Sequence, residues 1–409
     1  MIINNKILLL KLADLFYNKK AELATANSTD IGTNLSVNSD NIERGIAAMR
    51  EWASGSASVD GKTKGGLAIY SCYSDPSFVL LGLCLPPAIL ANGNNTAIHI
   101  YIPTVLRSYR SIFKQIVDES GLFPNITFVG SHRDFFEQSV TSPNIQSIVV
   151  FGDDWINNYL GSIRDHEKTL IYFGPGNNTA VILDKSNLTQ AIHSITRLTT
   201  ILSGQAAVCF KRCIVSSNVD FNDVLQLLST QFKGVTTGTD VRTSVVTPIG
   251  FESIISTVAE RVNEAAGNGA ELIHFKIKTL EDGVMVTPAI IANPHPNSDL
   301  WQKYHFAPVL SIVQCKPEEI SSFIRHNDYQ LAVSVFGTDM KDEIIADLQA
   351  DHAFVFDNCD FLDILRTNIG YRGHWGGFKN SAFTYSKESG YVKNGGKFDL
   401  YSLITQENK

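Results

Sequence analysis

The run Ser147-Ile148-Val149-Val150-Phe151-Gly152-Asp153-Asp154 decides the fold. Its apolar, β-branched residues read as a strand, and the glycine and aspartates that follow read as a turn. A second such run, Ile126-Thr127-Phe128-Val129, precedes it, and each leads through a turn into a helical segment. Strand, turn and helix in alternation are the mark of a parallel sheet with crossover helices. Upstream, Leu67-Ala68-Ile69-Tyr70 and Thr96 to Ile100 supply further strands, with helices expected over Leu80–Leu90 and Tyr109–Glu119. Helical patterns over Ile7–Phe16, continuing to about Ala26, and over Asn41–Trp52 lead into these strands. A second α/β unit starts near Asn177. It has strands at Thr179–Ile182, Cys213–Ser216, Thr287–Ala292 and Val309–Val313, and helices over Asn187–Ser203 and Phe221–Phe232. Pro288 places its strand at a strand start or a sheet edge.

Composition sets the outer limits. The chain has 409 residues, 44% hydrophobic and 18% charged, which argues against disorder and gives room for two or three domains. A net charge of -7 argues against nucleic acid as a partner. The six cysteines include no C-x-x-C pair, so neither a disulfide framework nor a zinc knuckle is indicated. The longest apolar stretch, Phe78 to Ala91, is too short to span a bilayer and contains Pro86-Pro87. The first residues lack the pattern of a secretory signal, so the expected location is cytoplasmic. The motifs G-x-G-x-x-G, Walker A, G-x-S-x-G and H-E-x-x-H are all absent.

Several segments, in order along the chain, resemble the aldehyde dehydrogenase superfamily. Pro87-Ala88-Ile89-Leu90-Ala91-Asn92-Gly93-Asn94 is similar to P-A-L-A-x-G-N, and Phe151-Gly152-Asp153-Asp154 stands at F-T-G-S. Phe173-Gly174-Pro175-Gly176 resembles L-G-G-K, and Gly204-Gln205 with Arg212 matches G-Q-x-C-x-x-x-x-R. Phe306-Ala307-Pro308-Val309, Asn327 to Phe336 and Trp375 to Ser381 follow as F-G-P-V, N-x-x-Y-G-L-A-x-x-V-F and F-G-G-x-K-x-S. The resemblance implies a Rossmann-like parallel-sheet domain over 1–173 with a reduced hairpin at 55–69. A catalytic-type α/β domain over 174–380 and a bridging or oligomerisation segment over 381–409 would follow. It also implies NAD or NADP as cofactor, no metal, and a homodimer or a subunit beside a partner enzyme, built in part on a strand over Phe398–Ile404.

The family's chemistry uses a cysteine nucleophile, a glutamate base and an asparagine that holds the oxyanion. The resemblance places Ala207 at the nucleophile, Tyr172 at the base and Asp75, or Pro76, at the asparagine. It places His99 at the lysine that holds the adenosine ribose and Tyr304 at the glutamate that holds the nicotinamide ribose, with Gly152 and Asp153 in the turn beside the cofactor. Alanine cannot attack a carbonyl, and tyrosine, with a pKa near 10, is a poor base for water. The matching residues, such as Gly93, Gly174, Pro308, Leu331, Ala332, Gly376 and Gly377, are those that set turns and packing. The expectation is a non-catalytic relative that acts as a scaffold, a partner subunit or a small-ligand binder. The alternative is an atypical NAD(P)-dependent aldehyde or acyl-thioester oxidoreductase that uses Cys209, two residues on, as a shifted nucleophile. A third reading is a different reaction in the same cleft through Asp75 or Tyr172. His295, His305 and His374 carry no metal spacing, and the acidic cluster Asp357, Asp360 and Asp363 is read as no metal site.

Overall fold

A computed structural model describes residues 5–54, 62–63, 65–92, 97–121, 125–280, 283–327, 329–349, 354–360, 362, 378–379, 382–386, 390–392 and 405–406. Two seven-stranded sheets organise them. In the first, Ile126–Phe128, Ile98–Tyr101, Gly66–Tyr70, Ile145–Phe151 and Thr169–Phe173 lie parallel, in that spatial order. Ala382–Ser386 and Gly390–Val392 then extend the sheet antiparallel beyond Thr169–Phe173. The carboxyl-terminal segment, expected as a separate bridging element, thus returns in part to the amino-terminal sheet. Phe398–Ile404 lies outside the described residues, as do 55–61 and 64 of the hairpin expected at 55–69, Gly93-Asn94 and the segment 363–377 with Asp363.

The two faces of this sheet bury different side chains because successive strand residues point to opposite sides. Leu67, Ile69, Val149, Phe151, Ile171 and Phe173 face the helices Asn5–Asn18 and Leu35–Ser54. Ala68, Ile148, Val150, Leu170 and Tyr172 face the helix His132–Thr141 and the segment after Asp153. Ser131 caps that helix, accepting the Asp134 N–H at 3.1 Å. The apolar run after Asp75 forms not the single regular helix expected over Leu80–Leu90 but a wide turn over Phe78–Cys84 that passes into the helix Leu85–Asn92. Pro86 and Pro87 have no N–H to continue the helical ladder, and the Leu85 N–H reaches back five residues to Leu80 O instead.

The second sheet runs Phe354–Asp357, Ala332–Phe336, Asn178–Ile182, Phe210–Ser216, Val309–Cys315 and Ala289–Ala292, all parallel, with Glu271–Ile273 antiparallel at one edge. Pro288 directly precedes Ala289–Ala292, a place where its missing donor is not needed. The helix Leu188–Thr200 covers one face and leads to the turn at 201–209. Among the described residues no helix is long and apolar enough to cross a membrane.

Candidate functional site

A cavity of about 350 Å³ opens where the first sheet's carboxyl ends meet the 201–209 turn. The turn is strained, because Leu202 (φ 50°), Ser203 (φ 56°) and Gly204 (φ 77°) are all left-handed in succession. Such strain persists only where the surroundings over-determine it. Here Ser203 Oγ accepts the Thr247 N–H at 2.9 Å, and Leu202 O accepts the Gln205 N–H at 3.1 Å. A Cβ on Gly204 would stand 2.2 Å from the Ala307 carbonyl carbon. Further along the turn, Asn178 Nδ2 donates to Ala207 O at 2.7 Å and to Cys209 O at 2.9 Å, while its Oδ1 accepts the Ala332 N–H at 2.9 Å. The buried Lys211 Nζ donates to Gly204 O at 2.6 Å and Ala307 O at 3.2 Å, and burial lowers its pKa to about 8.

The two units are also tied across the cavity. Tyr73 Oη donates to Gln205 Oε1 at 3.2 Å, and Gln205 Nε2 donates to Leu202 O at 3.2 Å. Phe251 packs on the Tyr73 ring, with centroids 4.7 Å apart. Asp75 begins the wide turn, accepting the Phe78 N–H at 3.2 Å. Burial pushes its carboxyl up to about 7, against the pull of that N–H, the Arg44 charge and Asn41. Among the described residues lining the cavity, Arg44 is the one cationic side chain.

Of the residues singled out in the sequence, Ala207, Asp75, Gly152 and Asp153 line the cavity. Cys209 does not. It is fully buried, its Sγ 3.6 Å from Ile201 O, and burial pushes the thiol up against the opposing charge of Lys211. Tyr172 lies on the other face of the sheet, and its hydroxyl donates to Gly152 O at 3.3 Å. His99 sits two residues before the end of its strand, half-buried against Ser139 Oγ at 3.3 Å, while Tyr101, Pro103 and Thr104 reach the cavity beyond it. Tyr304 packs edge-on against Tyr329 at 4.7 Å and is absent from the described lining, where Phe306 stands instead. Asp357 pairs with Lys341 at 3.0 Å and the buried Asp360 with Arg197. Among the described residues no group of three His, Cys, Asp or Glu could hold a metal ion.

Sequence reasoning passed over Cys72 and Ser74, which also line the cavity. Laying W-N-F-P on Tyr73-Ser74-Asp75-Pro76 without a gap, proline on proline, puts Ser74 rather than Asp75 at the asparagine. Ser74 is 8% exposed, with its hydroxyl 3.9 Å from Cys72 Sγ.

The sequence pattern of the aldehyde dehydrogenase family matches residues 3–395. Over 282 residues the chain is 24% identical to FUS7 of Gibberella fujikuroi, a match covering 68% of this chain and 58% of that protein. The chain therefore spans less than two thirds of the length of that relative. Over 400 residues it is 22% identical to the lactaldehyde dehydrogenase of Methanococcus maripaludis, covering 90% of this chain and 83% of that one. The crystal structure of lactaldehyde dehydrogenase from Escherichia coli superposes with a TM-score of 0.86 at 17% identity, covering 98% of this chain and 85% of that one.

Proposed function

From the premise that this chain belongs to the aldehyde dehydrogenase family, we propose that it binds a small, largely apolar carbonyl compound in the cleft reversibly, without forming a thiohemiacetal. The observation that carries this reading is the 201–209 turn. Ala207, which the sequence resemblance sets at the family's nucleophile, lines the cavity, and Cys209 of the same turn is buried. The strained geometry around that place is held by Asn178, Lys211, Ser203 and Gln205, so the pocket's shape does not depend on a nucleophile.

The cleft's own groups fit such a ligand. Phe251, Phe306 and Leu202 offer apolar walls to its body. The Ser74 hydroxyl can donate to a carbonyl oxygen. Asp75, with a pKa of about 7, carries a proton part of the time near neutral pH, so it can donate to a carbonyl or accept from a hydroxyl. Assembly as a homodimer or beside a partner enzyme belongs to the same proposal and draws on the family resemblance; a cytoplasmic location belongs to it too and draws on the sequence of the first residues.

A second reading has the relatives' names in its favour, since the protein matched over 90% of this chain is called a lactaldehyde dehydrogenase. It makes the chain an aldehyde or acyl-thioester oxidoreductase acting through Cys209. The thiol would have to leave its buried seat, with loss of the Asn178 bonds to Ala207 and Cys209. Calorimetric titration with medium-chain aldehydes and ketones, followed by intact mass, separates the two. Reversible heat with no mass increment is expected, and Ala207→Phe should abolish it by filling the cavity. An adduct mapped to Cys209 would establish the second reading, and the absence of heat with every carbonyl compound would remove the first.

A further inference from the structure

In a doubly wound sheet, a dinucleotide binds outside the carboxyl ends of the strands where the strand order reverses, with backbone close to the pyrophosphate and N–H groups turned toward it. In the first sheet that point lies between Gly66–Tyr70 and Ile145–Phe151, because the chain builds outward from the former through Ile98–Tyr101 and from the latter through Thr169–Phe173. The residues at this crevice are Tyr70, Gly152, Asp153 and Trp155, and they line one part of the cavity.

Each feature that a dinucleotide would use there is taken by the chain itself. Gly152 has no side chain, which would let a phosphate approach, but the Trp155 ring lies against it, 2.8 Å from where a Cβ would stand. The Trp155 N–H, placed to meet an anion, is bound by the Asp153 carboxylate at 3.2 Å. The Gly152 N–H is spent on Phe173 O at 3.1 Å and its carbonyl on the Tyr172 hydroxyl at 3.3 Å. Asp153 adds a negative charge where a pyrophosphate would bring more.

The space for a base is filled as well. Trp155 meets Tyr70 at 4.9 Å, His132 at 4.8 Å and Phe136 at 5.6 Å between ring centroids, and Phe136 stacks on Tyr159 at 4.1 Å. His132 is fixed between hydroxyls, its Nδ1 3.0 Å from Tyr70 Oη and its Nε2 2.8 Å from Tyr159 Oη. A base sandwiched between two rings needs them about 7 Å apart, twice the contact distance of carbon atoms. The rings here already touch one another.

We infer that the nucleotide crevice of this chain is filled from within, Asp153 standing in for a phosphate and the Trp155 cluster for a base, so that the native protein does not take up NAD(P). The inference is independent of what the cleft binds beside Ala207. NAD(P) therefore does not fit these residues.

Isothermal titration of the full chain with NAD+, NADP+ and ADP-ribose tests this. No binding is expected at millimolar ligand. The double variant Asp153→Ser/Trp155→Ser, checked for folding by circular dichroism, should gain ADP-ribose affinity by at least about tenfold. Trp155→Phe, which keeps a ring in place, should stay inert. Micromolar binding of any of the three ligands by the native chain would overturn the inference. So would a folded double variant no better than the native chain. Should the double variant fail to fold, the titration of the native chain decides alone.

Discussion

Asp75 shows how far a single residue's environment departs from what its letter conveys. Burial raises its carboxyl from 3.8 to about 7. The folded chain therefore holds a proton that the unfolded chain has already lost over that interval. The resulting stabilisation is complete below 3.8 and disappears as pH rises through 7. Asp75→Asn keeps an acceptor for the Phe78 N–H and should flatten the loss of stability between pH 4 and 7, read from urea midpoints. An unchanged slope would mean that Asp75 does not titrate in this way. The motifs place Ala207, Asp75, Gly152 and Asp153, all of which line the cavity. They say nothing of Cys209's burial, which is set by the fold of the turn around it. Nor do they reveal which face Tyr172 takes, because that depends on the strand's pleat and on the helices packed against each side. Ser74 is within reach of the sequence through Pro76.

At the scale of elements, the 201–209 turn is the most exacting. Gly204→Ala would drive a Cβ to 2.2 Å from Ala307 and force a left-handed φ of 77° on alanine. Its cost should exceed about 2 kcal/mol and shift the urea midpoint accordingly. Gly234→Ala, with nothing within 4 Å of the added Cβ, is the control and should change little. Equal effects would show that the turn tolerates another backbone. Strands followed at once by a turn and a helical pattern were readable. The strands at 126–129 and 147–151 and the helices at 109–119 and 221–232 appear within a few residues of their expected places. The strand Thr169–Phe173 is buried on both faces and has no alternation to betray it. The helix Glu252–Gly267 buries Ile255, Val258, Val262 and Ala265, a stripe diluted by the serines, threonine and glutamates between them. The wide turn at Phe78–Cys84 follows from Pro86 and Pro87, whose effect falls on the residues before them.

For the whole molecule, two parallel sheets meet with the carboxyl ends of the first against the strained turn of the second. The order of turn motifs along the chain made that architecture readable, because glycines, prolines and short polar turns constrain backbone geometry locally. The return of Ala382–Ser386 to Thr169–Phe173 was not readable, since strand pairing at such separation is decided by the assembled sheet rather than by either segment. Ala207 lines the cleft between the two sheets, and Cys209, the cysteine of the same turn, is buried; the proposed function rests on that arrangement. The most direct test is the appearance of NADH absorbance when the full chain is given NAD+ or NADP+ with a panel of aldehydes and, in the reducing direction, its loss with acyl thioesters. The expected result is no enzymatic change with any substrate. A robust rate that disappears in Cys209→Ala would contradict it and assign the chemistry to the buried thiol.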